Sequence, residues 1–197
     1  MAITLDQIKQ LREKTGVGIF ACKGALESSN GDFDKAVKYL RKKGIAKAQK
    51  RADKAASEGV VGVYLHANNK VAALVELNCE TDFAAKSEVF QSVAHDFAMQ
   101  VAAMNPEYKD RESVPSSVLE KEREIYMEAL KKEGKPDNLV EKIVQGKLNK
   151  FFGENCLMEQ RFIKDDSKSM EDYLNEAVAT IGERLEVGEF TRIAIGN

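Results

Sequence analysis

Apolar positions in the first part of the chain recur at helical intervals and are punctuated by glycine. Leu5, Ile8 and Leu11 share a face at helical spacing, with Thr4 placed to cap the helix. The stretch Thr15-Gly16-Val17-Gly18-Ile19-Phe20 breaks that helix with two glycines, then presents two large apolar side chains in succession. A second helix is predicted over 21–28, with Cys22, Ala25 and Leu26 inward. Asn30-Gly31 is a turn signal. Asp32 then caps a third helix with Phe33, Ala36, Val37 and Leu40 on its inner side, and Gly44 is expected to end it as a C′ residue. Residues 45–58 are rich in Ala and Lys with little apolar periodicity and read as a basic, partly helical linker.

From Gly59 the pattern changes. Residues 60–66 and 71–77 are short, apolar and rich in branched residues, and Ala67-Asn68-Asn69 lies between them, which predicts a hairpin. After the turn 78–86, Val89, Val93, Phe97 and Val101 repeat at i, i+4 and predict a helix to about Met104, closed by Asn105-Pro106. Residues 107–115 form a polar connection. Ser117 and Glu120 have the spacing of a capping box for a helix carrying Val118, Ile125, Ala129 and Leu130, stopped by Gly134 and Pro136. A further helix carries Leu139, Ile143, Val144, Leu148, Phe151 and Phe152, with Gly153 expected to close it. Residues 155–163 look extended, and Asp165-Asp166 reads as a solvated or capping pair before the next helix. That last helix starts near Ser169, carries Tyr173, Leu174, Ala177, Val178 and Ile181, and ends at Gly182. Two candidate strands follow, 184–187 and 190–195. The expected fold is α+β: an N-terminal three-helix bundle resembling a ubiquitin-associated domain (1–45), the basic linker (46–58), and a core (59–197) with an antiparallel sheet packed by helices.

Composition narrows the function. With 197 residues, 31% charged and a net charge of −2, a soluble globular protein with a real core is expected. No apolar run is long enough to span a bilayer, and the first residues lack the basic flank and apolar segment of a secretory signal. Three scattered cysteines, Cys22, Cys79 and Cys156, form no metal or disulfide pattern and suit a reducing cytoplasm. Residues 1–56 carry 13 Lys and Arg against 6 Asp and Glu, a net of +7; residues 57–197 carry 17 against 26, a net of −9. A basic N-terminal part suits an acidic protein surface or a nucleic acid, or is an ordinary solvated face.

The catalytic inventory is thin. His66 and His95 have no Ser or Cys partner at a recognisable spacing, and no His/Cys set has ligand spacing. Neither a phosphate-binding G-x-x-x-x-G-K-[S/T] loop nor a G-x-G-x-x-G turn after a strand is present, so no cofactor is expected. The chain would act on a nucleotide only through a partner that holds it. At the turn 78–86 the residues alone favour a structural reading, with Thr81 or Asp82 capping the helix and Phe83 folding under as core. A nucleic-acid module would want aromatic platforms, and no aromatic interleaves with the lysine run and no Trp occurs in the chain. A ubiquitin-associated-like adaptor would account only for the N-terminal bundle.

Two stretches carry a resemblance. Arg12-Glu13-Lys14-Thr15-Gly16-Val17-Gly18-Ile19-Phe20-Ala21-Cys22-Lys23-Gly24-Ala25-Leu26 is similar to the first signature of the elongation factor Ts family, and Asn78-Cys79-Glu80-Thr81-Asp82-Phe83 resembles its second, within 76–86. The family usually has alanine at Val17, two methionines at Ile19 and Phe20, aspartate at Ala21, lysine at Gly24 and valine at Ala84. Residues 98–103, 146–151 and 161–165 are also family-like, so the resemblance covers nearly the whole chain. It implies a nucleotide-exchange factor, not an enzyme, for the GTPase elongation factor Tu. Thr81, Asp82, Phe83 and Ala84 would form the motif that enters the GTPase near its Mg²⁺ region, with Phe83 as wedge. Asp82 would act on the partner or cap the helix holding Phe83. Arg12, Thr15, Gly16, Val17, Gly18, Ile19, Phe20 and Lys23 would dock on the G domain. It further implies a short family form that pairs as a homodimer, without membrane or direct nucleic-acid contact.

Overall fold

A computed structural model describes residues 3–196. Met1, Ala2 and Asn197, which bound the expected first and last domains, lie outside the described residues, as does part of the reading of the N-terminus as signal-free. The fold is α+β, and the chain forms two compact units: Met1–Met99 together with Glu171–Asn197, and Gln100–Met170.

The first unit opens with α1 (Leu5–Thr15), α2 (Ile19–Ser28) and α3 (Phe33–Arg51). Thr4 and Asp32 cap α1 and α3 as expected, by accepting from the Gln7 and Lys35 amides. Ile8, Leu11, Cys22, Ala25, Leu26, Ala36 and Leu40 form the core of the three helices. Leu5 shares the spacing of that face but is exposed. Gly44 does not end the third helix: α3 continues to Arg51, through half of the expected linker. The reason is tertiary. A Cβ at Gly44 would lie 3.1 Å from the Asn175 carbonyl oxygen and 3.2 Å from the Ala179 Cβ, both on α8 (Met170–Ile181). The glycine lets two helices approach, and Arg41 adds an ion pair to Asp172 at 2.9 Å and Lys47 a hydrogen bond to the Ala179 carbonyl at 3.2 Å.

The hairpin is present as β1 (Glu58–Leu65) and β2 (Val71–Cys79). The two expected C-terminal strands are one, β5 (Leu185–Ala194), pairing antiparallel with β2 in a sheet of order β1-β2-β5. The register shifts between Val75 and Leu77, where Gly188 lies against the Glu76 carboxylate, which would have to move to admit a side chain. On one sheet face Ala73, Val75, Leu77, Leu185 and Val187 are buried, and Gly62 lets the backbone of α5 (Glu88–Met104) approach at Ala94. On the other face, Val63 opposite Leu74 and Leu65 opposite Ala72 continue to Ile193; Val61, Val63, Leu65, Leu74, Ile193 and Ile195 are all exposed. On α5 the buried face is Phe90, Val93, Ala94 and Phe97, with Phe97 6.0 Å from the Tyr173 ring; Val89, expected on this face, is exposed.

In the second unit α6 (Ser116–Lys132) and α7 (Asp137–Asn155) pack as a hairpin around Val114, Leu130, Val140, Val144, Leu148 and Phe152. The expected capping box is absent. α6 begins after Pro115 without a side-chain cap, so Ser117 already lies inside the helix. Gly153 also lies inside its helix, since α7 runs to Asn155. Ile125, expected inward, is exposed. The stretch read as extended contains a 3-10 turn, Leu157–Glu159, before β3 (Arg161–Phe162). Asp165-Asp166 is not a helix entry but the start of β4 (Asp165–Ser169), which pairs with β3. Gln100 and Gln160 are buried and hydrogen-bonded to each other. Gln100 donates to the Gln160 side-chain oxygen (3.2 Å) and the Arg161 carbonyl (3.0 Å) and accepts from the Ile163 amide (3.0 Å).

Candidate functional site

Two turns in the first unit hold the residues singled out in the sequence. The first joins α1 to α2. Gly16 has φ 66°, a conformation that side-chain-bearing residues rarely adopt, and its amide closes α1 on the Arg12 carbonyl at 2.8 Å. Thr15 donates from its hydroxyl to the Leu11 carbonyl at 2.7 Å, and the Cys22 thiol reaches the Val17 carbonyl at 3.3 Å. The turn is thereby pinned from inside. Gly18 is the N-cap of α2, which begins at Ile19 rather than Ala21. Ile19 is 47% and Phe20 91% exposed, and Arg12 and Lys23 are exposed as well. Val17 and Thr15 are half-buried and support the turn. Lys23 makes a loose ion pair with Glu27 at 3.8 Å, worth little at such exposure.

The second turn follows β2. Cys79 is the last buried residue of the strand, and its thiol donates to the Thr81 carbonyl at 3.1 Å. Thr81 is the N-cap of the single-turn helix α4 (Asp82–Ala85), accepting from the Ala84 amide at 3.3 Å. The capping alternative for Asp82 is therefore corrected: Asp82 is the first helical residue, and Thr81 does the capping. Asp82 accepts from the Lys86 ammonium at 2.6 Å, and this hydrogen bond holds its carboxyl below the usual aspartate range. The reading of Phe83 as core is also corrected. Its ring is 82% exposed, while Ala84 and Ala85 behind it are buried. At i+1 and i+2 on one helical turn the two alanines point away from the ring, so burying the alanines turns the ring to solvent.

Three residues that periodicity and motif spacing did not single out, Glu183, Arg184 and Arg51, hold this turn, partly through Glu80 of the motif itself. Glu183 accepts both the Thr81 amide (3.0 Å) and the Thr81 hydroxyl (2.7 Å). Glu80 accepts the Arg184 amide (2.6 Å) and the Arg51 guanidinium (2.6 Å), and these bonds, the backbone one foremost, keep its carboxyl below the usual glutamate range. Arg184 further donates to the Lys54 carbonyl and to Glu186. The only sequence signal for these contacts is an acidic and a basic residue directly after the helix-ending Gly182. Both turns adjoin the C-terminal end of α8: Gly16 faces the Thr180 side chain, and Thr81 is held by Glu183.

The remaining candidates for chemistry have structural uses. His95 donates from Nδ1 to the Val63 carbonyl at 2.9 Å, and His66 Nδ1 lies 3.1 Å from the Tyr64 hydroxyl. All three thiols are free and buried; burial raises Cys79 and pushes Cys156 up to about 11, so neither is a thiolate at neutral pH. Among the described residues no group of three or more His, Cys, Asp or Glu is arranged to hold a metal ion, and no helix is long and apolar enough to cross a membrane.

Comparison with known proteins supplies the context for two exposed rings on pinned turns. A model of the family described as Elongation factor TS matches residues 29–197, which includes the second turn but not the first. Across nearly the full chain, the sequence is 52% identical over 194 residues to Elongation factor Ts of Thermosipho melanesiensis, covering 98% of this chain and 99% of that one. It is 53% identical over 196 residues to Elongation factor Ts of Geotalea daltonii, covering 100% and 91%. It is 52% identical over 194 residues to Elongation factor Ts of Moorella thermoacetica, covering 98% and 96%.

Proposed function

The chain belongs to the elongation factor Ts family, and from that membership we propose that it is the nucleotide-exchange factor of the GTPase elongation factor Tu, acting in the cytoplasm. A role in translation elongation follows from the family; the exchange activity and the residues behind it are the proposal. The observation that carries it is Phe83, a large apolar ring 82% exposed on a turn whose neighbours are buried and hydrogen-bonded. Nothing within the unit is gained by holding such a ring in water, and burying it in a partner is worth about 2–3 kcal/mol.

An exchange factor needs no catalytic group. It binds the nucleotide-free GTPase more tightly than the GDP-bound form, and linkage then requires that it weaken GDP by the same factor. Phe83 enters the GTPase beside its Mg²⁺ and phosphate site as a wedge, and the 2–3 kcal/mol released there corresponds to roughly 30- to 150-fold weaker GDP. Asp82, relieved of capping by Thr81, carries its charge next to the ring, where it alters the field around the Mg²⁺ ion. The helices up to residue 45 dock on the G domain through Arg12, Ile19, Phe20 and Lys23, and their basic excess speeds encounter with an acidic surface. Stopped-flow release of fluorescent GDP from elongation factor Tu tests this. The protein should accelerate release, and Phe83→Ala should abolish most of the acceleration; an unchanged rate with Phe83→Ala refutes the wedge.

The open sheet face supports the expectation of a homodimer. Val61, Val63, Leu65, Leu74, Ile193 and Ile195 make a contiguous exposed apolar surface that a second copy can cover with the same residues. Light scattering at micromolar concentration should give a dimer that Leu74→Asp dissociates; a monomer for the unaltered protein refutes the pairing.

A further inference from the structure

We propose that Glu183 and Glu80 are positioning residues of the exchange turn, and that Arg51 ties this turn to the N-terminal helices. The inference rests on the reading of Phe83 as the wedge and asks what aims it.

A four-residue helix cannot aim its own side chains. Helix nucleation is unfavourable, and one isolated turn has no stability in water. The Phe83 ring, at 82% exposure, has little packing to hold it either. Its direction is therefore set by the backbone of 80–85. Two carboxylates cross-brace that backbone against the segment leaving α8. Glu183 reaches from the α8 side and takes both the amide and the hydroxyl of Thr81, at 3.0 and 2.7 Å. Because the hydroxyl proton is committed to Glu183, an oxygen lone pair is oriented to accept the Ala84 amide, which is the cap of α4. Glu80 reaches the opposite way and takes the Arg184 amide at 2.6 Å. Neither brace can slide along the chain without breaking the other.

The same device reaches the docking helices. Arg51, the last residue of α3, donates to the same Glu80 oxygen at 2.6 Å, with the pair only partly accessible. α3 is in turn fixed to α8 by the Gly44 approach, the Arg41–Asp172 pair and the Lys47 hydrogen bond to Ala179. From α8, Gly182 at φ 91° turns the chain directly into Glu183 and Arg184. The docking helices and the wedge thus share one braced frame, so grip at one end sets the position of the ring at the other.

The test is GDP release from elongation factor Tu by the full-length protein, titrated to saturation. Glu183→Ala should lower the saturated rate by about tenfold, a large part of the roughly 30- to 150-fold effect of the ring itself, while the half-saturating concentration stays within about twofold. Glu183→Gln, which can still accept the Thr81 amide and donate to the Thr81 oxygen, should recover most of the rate. Arg51→Met should act like Glu183→Ala in kind and carries the same test if Glu183→Ala does not fold. A wild-type saturated rate in these variants, or a loss that appears only as a raised half-saturating concentration, overturns the proposal. Phe83→Ala is measured alongside. If it is inactive while the brace variants are wild-type, the brace alone fails; if it too is wild-type, the wedge reading fails first.

Discussion

Replacing Phe83 and Phe97 by alanine separates an exposed ring from a core ring on the same unit. Phe83 is 82% exposed and Phe97 is fully buried. A phenylalanine carries roughly 200 Å² of surface, so Phe83 leaves only about a fifth of it, roughly 40 Å², covered. At about 25 cal/mol per Å² its truncation costs about 1 kcal/mol, partly offset by the better helix propensity of alanine. Phe97→Ala removes a ring from a packed core and costs about 3–5 kcal/mol. For a chain of this size 1 kcal/mol moves the melting temperature by about 2–4 °C. Thermal denaturation by circular dichroism at one scan rate should therefore show a shift of no more than about 4 °C for Phe83→Ala and about 6–20 °C for Phe97→Ala. GDP release on the same samples, measured well below both transitions, should show the reverse order of damage. A melting temperature for Phe83→Ala as low as that of Phe97→Ala would mean that the ring is packed, and would refute its role as an exposed wedge.

Gly62→Ala should destabilise by about 1–3 kcal/mol, read as a lower urea midpoint, because the new Cβ lands on the Ala94 carbonyl of α5 and neither backbone can yield alone. Gln100→Leu should cost about 1–3 kcal/mol in the same assay, since the buried Gln160 oxygen loses a donor that water cannot replace. The Glu80 carboxyl is lowered from its ordinary value of 4.5, so the stability it contributes is complete above that pH and is lost as pH falls through the lower, folded-state value. Arg51→Met removes one cause of the lowering, so the side-chain NMR titration midpoint of Glu80 should rise, and the stability gap between the two proteins should close as the pH is taken down; an unmoved midpoint would show that Arg51 contributes nothing to it.

Much of the local structure was legible because it is decided by nearest neighbours along the chain. Thr4 and Asp32 cap their helices, since a cap needs only a side-chain oxygen and an amide three residues on. The hairpin and the inward faces of α2 and α3 follow from periodicity. The role of a glycine, by contrast, is not decided by its neighbours along the chain. At Gly16 and Gly182 it ends a helix with a positive φ; at Gly44 and Gly153 it lies inside one. The residue is the same, and at Gly44 the difference is a second helix 3.1 Å from where a Cβ would be. Val89 and Ile125 have the spacing of a buried face but lie exposed, because periodicity reports which residues share a side and not how far the covering layer extends.

The sequence by itself determined most of the helices, the caps at Thr4 and Asp32, the hairpin, the absence of a phosphate-binding loop and the two stretches by which the family is recognised. Those are properties of residues close together in the chain. Only the tertiary structure decided that Phe83 points outward, that Thr81 and not Asp82 caps its turn, and that Glu183, Arg184 and Arg51 hold it. The reason is physical: a single helical turn takes its direction from what it is bonded to, and those partners lie 29 to 104 residues away.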